Sequence, residues 1–228
     1  MTKPLTPPDR PAARQRKPLS RDRVLRAAIV LADEGALESV SMRKLGLVLR
    51  VEAMSLYKHV ANKDDILDGI ADLVIGDFEV PSVDVDWKTA VRRGAISAHQ
   101  VLLRHPWASS LIESRLSAGP ARLRYLEAVI GALSAGGFTM PMAIRAIMAL
   151  DSYTYGFVLQ ELAWPFDVEN ASELAATFAR GLPPSEYPNL LAMAEMMTTA
   201  AHGVPVDFEF GLDLILDGLE RLRETAGH

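Results

Sequence analysis

VSMRKLGLVLRVEAMSLYKHVANK, residues 40–63, holds two short apolar-periodic segments a few residues apart. In the first, Met42, Leu45 and Leu49 recur at helical spacing, and Gly46 on the same side has no side chain to hold a neighbour away. In the second, Leu56 and Val60 stand four apart and can seat that segment on the first. Ala53, Met54, Ser55, Tyr57, Lys58 and His59 are then left pointing largely outward. This set is small, hydroxylic, aromatic and cationic, with no acidic member. It suits a helix lying in the major groove of DNA, where small residues permit close approach and Tyr, Lys and His meet phosphates. A helical hairpin with a solvated outer face would use the same spacing.

Charge favours the first reading, with chance clustering as the alternative account of it. The whole chain carries a net −5, but residues 1–63 hold 13 Lys and Arg against 6 Asp and Glu, a net +7, which leaves the remainder at −12. A basic N-terminal unit attracts phosphate and an acidic remainder is repelled by it, which orients the molecule on a duplex. The 228 residues allow one large or two small domains. The absence of cysteine excludes a disulfide framework and a thiolate metal site. With no apolar leader and no run long enough to span a bilayer, the sequence predicts a cytoplasmic protein without a membrane partner.

Residues 1–19 are rich in Pro and basic residues and are expected to be a disordered basic arm. Arg10, Arg14, Arg16 and Lys17 suit a phosphate backbone or a minor groove, and equally suit a solubilising tail. Ser20 can cap a helix to about Glu34, with Gly35 as a left-handed stop. Ser41 caps the next helix, and Asn62 begins another that runs to Phe78 with Asp64 and Asp65 in its first turn. The loop Glu79–Asp86 divides a unit over 20–79 from a larger one over 80–228. From Trp87 the pattern stays helical: Trp87–Arg104, a short piece over 107–115, Pro120 to the Gly136-Gly137 pair, and Pro141–Ala163. A loop over 164–189 with four prolines carries one helical piece over 172–180. Asn189–His202 and Asp207–Arg223 complete an all-α chain of nine or ten helices.

No nucleophile elbow, P-loop, dinucleotide fingerprint or HExxH is present, and the five histidines lack metal-ligand spacing. The sequence therefore predicts no enzyme, no cofactor and no metal. His99, Trp107, Tyr153, Tyr155, Phe157, Gln160 and Trp164 are amphipathic groups that can line an apolar cavity with a few polar anchors. They can equally be core aromatics with satisfied hydroxyls. Asp151, inside an apolar run, either pairs with an Arg such as Arg145 or lines the same cavity.

Three runs carry a resemblance: Ser41-Met-Arg-Lys-Leu-Gly, Val51-Glu-Ala-Met-Ser-Leu-Tyr-Lys-His-Val and Asn62-Lys-Asp-Asp-Ile-Leu. This stretch resembles the helix-turn-helix of the TetR family, the tetracycline-repressor-like transcription regulators. The resemblance is specific over about the first 75 residues; beyond them it rests on helical layout and on the closing FEFGLDLILDGL. Arg50 stands in the turn where that family usually has Gly, and Gly46 replaces its usual Ala. The resemblance implies an N-terminal three-helix DNA-binding unit, with residues 62–78 joining it to a helical ligand-binding and dimerisation domain. It further implies a homodimer on a double-stranded, palindromic operator, released by a small-molecule effector. Ser41, Arg43, Ala53, Met54, Ser55, Tyr57, Lys58, His59 and Lys63 would face DNA. A histidine through which tetracycline repressors hold a magnesium–drug complex corresponds, by ungapped count, to Ile112, which disfavours that ligand. The alternative function is a ligand-independent DNA-binding or architectural protein whose C-terminal part only dimerises.

Overall fold

The computed structural model describes residues 18–115, 119–163, 171–199 and 207–226. Among the described residues the chain is all-helical, with eleven α-helices where nine or ten were expected and one 3₁₀ turn at Leu37–Ser39. The order is α1 (Arg21–Gly35), α2 (Met42–Leu49), α3 (Ala53–Leu56), α4 (Lys63–Gly76), α5 (Trp87–Arg104), α6 (Ala108–Ser114), α7 (Pro120–Ala135), α8 (Met140–Ala163), α9 (Ala171–Arg180), α10 (Pro188–Thr199) and α11 (Phe208–Ala226). Trp164, His202 and residues 1–17 of the basic arm lie outside the described residues.

Local chemistry sets most of the helix starts. The Ser20 hydroxyl accepts the Arg23 N–H, Ser41 accepts the Lys44 N–H at 3.3 Å and Asn62 accepts the Asp65 N–H at 2.8 Å. Asp86 caps α5 and Asp207 caps α11 in the same way. Helix α4 ends at Gly76 and leaves Phe78, expected inside it, just beyond the last turn as a buried core residue. The stop after α1 differs from expectation. Helix α1 runs through Gly35, and Ala36 takes the positive φ of 56°. Gly35 is needed for proximity instead: an added Cβ would stand 3.1 Å from the Ser39 Cβ. The Ser39 hydroxyl in turn donates to the carbonyls of Leu31 and Ala36.

Two apolar cores organise the molecule. The first gathers α1 to α4 together with Val101 and Leu102 of α5, Leu111 and Ile112 of α6, and Val158 of α8. The packing therefore crosses the 79–86 loop. The second joins Trp87 and Val91 of α5, Val129 and Leu133 of α7, Ala146 and Leu150 of α8, and Phe208, Leu212 and Leu216 of α11. Lys88 bridges to Asp217 and Glu220, and Arg92 to Glu209 and Asp213, all at 2.7 Å, so α11 is laced to α5 outside that core. These pairs are partly exposed and add modestly to stability. Tyr125 of α7 touches both cores. No helix among the described residues is long and apolar enough to cross a membrane.

Candidate functional site

The α2–α3 pair is held from beneath by Leu45, Leu49, Leu56 and Val60, all buried. The turn between the helices is tight. Arg50 adopts the left-handed conformation (φ 56°, ψ 48°), and the Val51 N–H reaches the Gly46 carbonyl at 2.9 Å. The strain of a non-Gly residue at positive φ is accepted here. Gly46 is what lets the turn close, since a Cβ would stand 2.9 Å from the Val51 carbonyl oxygen and 3.4 Å from the Ala53 nitrogen. The Gly and Arg exchanged relative to the usual family pattern thus belong to one compact turn.

Helix α3 is a single turn, extended by a hydrogen-bonded turn in which the N–H groups of His59 and Val60 reach the Leu56 carbonyl. Met54 is 76% exposed and Tyr57 49% exposed; Arg43, Lys58 and Lys63 are also exposed. Ser41, Ala53, Ser55 and His59 are half-buried, and the Ser55 hydroxyl donates to the Glu52 carbonyl at 2.6 Å. Of the nine residues expected to face DNA, Ser41 caps α2 and Arg43 lies on it, Ala53, Met54 and Ser55 lie on α3, Tyr57, Lys58 and His59 follow in the turn after it, and Lys63 opens α4. Lys44 and Arg50 are exposed beside them and extend the basic surface. Their charge was legible in the sequence; their orientation was not. Arg21 braces the exit from α3 by pairing with Asp65 at 2.6 Å and donating to the His59 carbonyl at 3.5 Å. That pairing holds the Asp65 carboxyl below its ordinary range.

The residues expected to line a cavity divide among four places. Asp151 and Tyr155 face a cavity of about 30 Å³, space for roughly two waters. Its walls include Phe78, Ala95, Tyr125, Val129, Leu150 and Thr154, drawn from both cores. His99 and Tyr153 instead stack on Phe208 and Phe157 meets it edge-on, and the Tyr153 hydroxyl donates to the Phe208 carbonyl at 2.8 Å. His99 bonds Glu161 at 2.7 Å. Trp107 donates to Asp33 at 2.7 Å, where His105 also binds, and so ties α6 to α1. Gln160 is exposed. Helix α8 is apolar around much of its circumference, so spacing alone could not select which face meets α5 and α7. The cavity face is Ile147, Leu150, Asp151, Thr154 and Tyr155, displaced from the 153–157–160 face. Tyr125 and Phe78 were missed; a Tyr125–Val129 spacing of four on α7 was the available signal.

Asp151 has no hydrogen bond or ion pair among the described residues, including none with Arg145. Burial, with Glu113 adding to it and Arg122 opposing, pushes its carboxyl up to about 6. Burial likewise raises the Tyr125 and Tyr155 phenols, and Asp151 adds to both. Ile112, the ungapped counterpart of the magnesium-site histidine, is buried in the first core. No cluster of metal-binding side chains occurs among the described residues.

Two sets of contacts tie α7, which lines the cavity, and the end of α6 to α4. The Asp72 carboxylate of α4 accepts the Ala121 and Arg122 N–H groups at 3.0 Å, capping α7. Arg115, which follows α6, pairs with Asp64 and Asp68 of α4 at 3.1 and 3.2 Å.

Residues 80–223 match the tetracyclin repressor-like C-terminal domain family. An HTH-type transcriptional regulator of Saccharopolyspora erythraea is 35% identical over 173 residues, which is 75% of this chain and 73% of that protein. The HTH-type transcriptional repressor DrrR1 of Streptomyces coeruleorubidus is 32% identical over 225 residues, 93% of this chain and 82% of its own length. Among solved structures, the Streptomyces coelicolor TetR family protein ActR in complex with actinorhodin aligns with a TM-score of 0.74 at 26% identity, covering 91% of this chain and 99% of that one.

Proposed function

The chain belongs to the tetracycline repressor-like family of transcription regulators, and from that premise we propose that it represses by binding a near-palindromic operator as a homodimer and is released when a small molecule fills the cavity. In this reading residues 20–79 read DNA. Arg43 faces a guanine, Ala53, Met54 and Lys58 approach base edges, and Ser55, Tyr57, His59 and Lys63 position phosphates. The dimer forms through α8 and α11. Ile144, Met148 and Leu159 on α8, and Phe210, Leu214 and Leu222 on α11, are exposed apolar residues. Gly156 and Gly218 stand open, with nothing within 4 Å of an added Cβ. A large apolar face with small residues in it suits close helix–helix packing against a second copy.

The observation that carries the reading is the position of the cavity at the seam between the two cores. An occupant larger than two waters must push the walls apart. Helix α7 carries Tyr125 and Val129 into the cavity and is held to α4 through Asp72, so its displacement is passed to the helix that follows the DNA-facing turn. Two recognition segments matched to half-sites about 34–36 Å apart lose that match when α4 swings. A full switch requires the ligand to prefer the released state by roughly 10⁴-fold.

The test is operator binding at fixed salt, using duplexes from the chain's own upstream region, followed by titration with candidate effectors. Binding as a dimer that an effector abolishes is the expected result. A lone subunit at micromolar concentration, or equal effector affinity for free and DNA-bound protein, refutes it. The small cavity volume favours a second reading, a ligand-independent DNA-binding protein. Thermal shift against a compound panel separates the two, because only the first gains stability from a ligand.

A further inference from the structure

The cavity is chemically lopsided. Its one charged wall group is Asp151, without a hydrogen bond or ion pair among the described residues. The aromatic groups around it are Tyr125, Tyr155 and Phe78. Neither phenol oxygen has a hydrogen-bond partner among the described residues. Glu113 of α6 adds a second negative charge from outside the wall. Arg122 of α7 is the one cation acting on Asp151, but its guanidinium is engaged elsewhere, donating to the carbonyls of Ile112 and Arg115 at 3.3 and 3.1 Å.

A half-buried carboxylate that faces an apolar, aromatic wall and finds no partner on it is unfavourable, and Asn would keep its size without the charge. A group that completes the site should therefore be positive and should donate hydrogen bonds. Phenol and phenyl faces add to this, since their π-systems attract cations most strongly where water is excluded. Anionic ligands would meet Asp151 and Glu113 and are disfavoured. The apolar remainder, Val91, Ala95, Val129 and Leu150, suits an aromatic or polycyclic body.

We infer that the cavity accepts an aromatic ligand bearing a protonated amine, with the ammonium on Asp151 and the phenols of Tyr125 and Tyr155. This rests on the effector reading above and narrows it to a ligand class. The ammonium donates to the Asp151 carboxylate, and the phenol oxygens accept from its remaining protons. The ring system widens the seam between α5, α7 and α8. Asp151 is thereby a specificity residue for charge, while the apolar walls respond to size.

The experiment uses the full chain and two probe pairs: benzylamine and 1-naphthylmethylamine, each against its neutral N-acetyl form, titrated by calorimetry. For the wild type near neutral pH, each amine should bind at least about tenfold tighter than its amide, as a charge-assisted contact requires. In Asp151→Asn the ratio should fall to within about threefold. A readout that needs no variant is pH: the wild-type preference should shrink below about pH 6 as Asp151 takes up its proton, with Glu113, Arg122, Tyr125 and Tyr155 as the other titratable groups around it. Amides binding as well as amines, an undiminished preference in Asp151→Asn, or no binding of either amine at millimolar concentration overturns the inference. The same compounds are added to the operator complex. If amides empty the operator and amines do not, the charge assignment fails and the effector reading stands. If the chain never holds the duplex, the regulator reading fails, while the amine-to-amide ratio still judges the cavity.

Discussion

Replacing Asp151 with Asn removes a charge and almost nothing else, so it measures what the half-buried carboxylate costs the fold. Its carboxyl rises from the ordinary 3.8 to about 6 through burial, with Glu113 adding and Arg122 opposing. The sign follows from proton binding. Between those values the folded chain holds the proton and the unfolded chain has released it, so stability falls as pH rises through the window and stays reduced above it. The shift corresponds to about 3 kcal/mol at neutral pH. An Asn amide left without partners returns about 1 kcal/mol of that gain. Asp151→Asn should therefore be more stable than wild type by about 1–2 kcal/mol near pH 7.5, which is roughly 2–8 °C in Tm for a chain of this size. By about pH 4 the folded wild type is neutral at this position, and the difference should disappear. Urea unfolding at one fixed protein concentration is the assay, because a dimer's midpoint moves with concentration. A destabilised Asp151→Asn near pH 7.5, or a difference independent of pH, would mean that the carboxylate has a stabilising partner and that the account of the cavity is wrong.

Other expectations test the remaining elements. Arg43→Ala should lose about 1–3 kcal/mol at a single base pair, whereas Lys63→Ala should weaken all duplexes alike and lower the salt slope by about one, read by binding across a panel of operator variants. Gly46→Ala should destabilise by about 1–3 kcal/mol, since the added Cβ meets the Val51 carbonyl and backbone must shift; a neutral effect in urea melts would contradict the tight turn. Arg50→Gly and Ala36→Gly relieve positive φ and should each leave stability unchanged or raise it by up to about 1 kcal/mol in the same melts. Gly211→Ala drives a methyl into the Tyr153 ring, which should loosen α11 from α8 and shift the monomer–dimer balance in sedimentation toward monomer.

Local chemistry made much of this protein legible from the chain alone. Hydroxyl and carboxamide caps at Ser20, Ser41 and Asn62, the Gly136-Gly137 stop and the prolines at 120 and 141 are signals carried within a few residues, so the helix limits followed from them. The exposed face of this helix pair was also readable, because Leu45, Leu49, Leu56 and Val60 declare an inside and leave Met54, Tyr57 and Lys58 outside. Packing between distant segments decided the rest. An apolar helix such as α8 offers several faces of similar hydrophobicity, and only its neighbours determine which one is sealed and which one borders a void. Tyr153 and Phe157 were claimed by Phe208, more than fifty residues away, while Tyr125 and Phe78 were brought to Asp151 by helices that meet only in three dimensions. The strain at Arg50 was visible as a question in the sequence and answered by tertiary closure, since only the backbone around Gly46 shows how near the two helices come. Periodicity reports which residues avoid water; it does not report which partner each one finds.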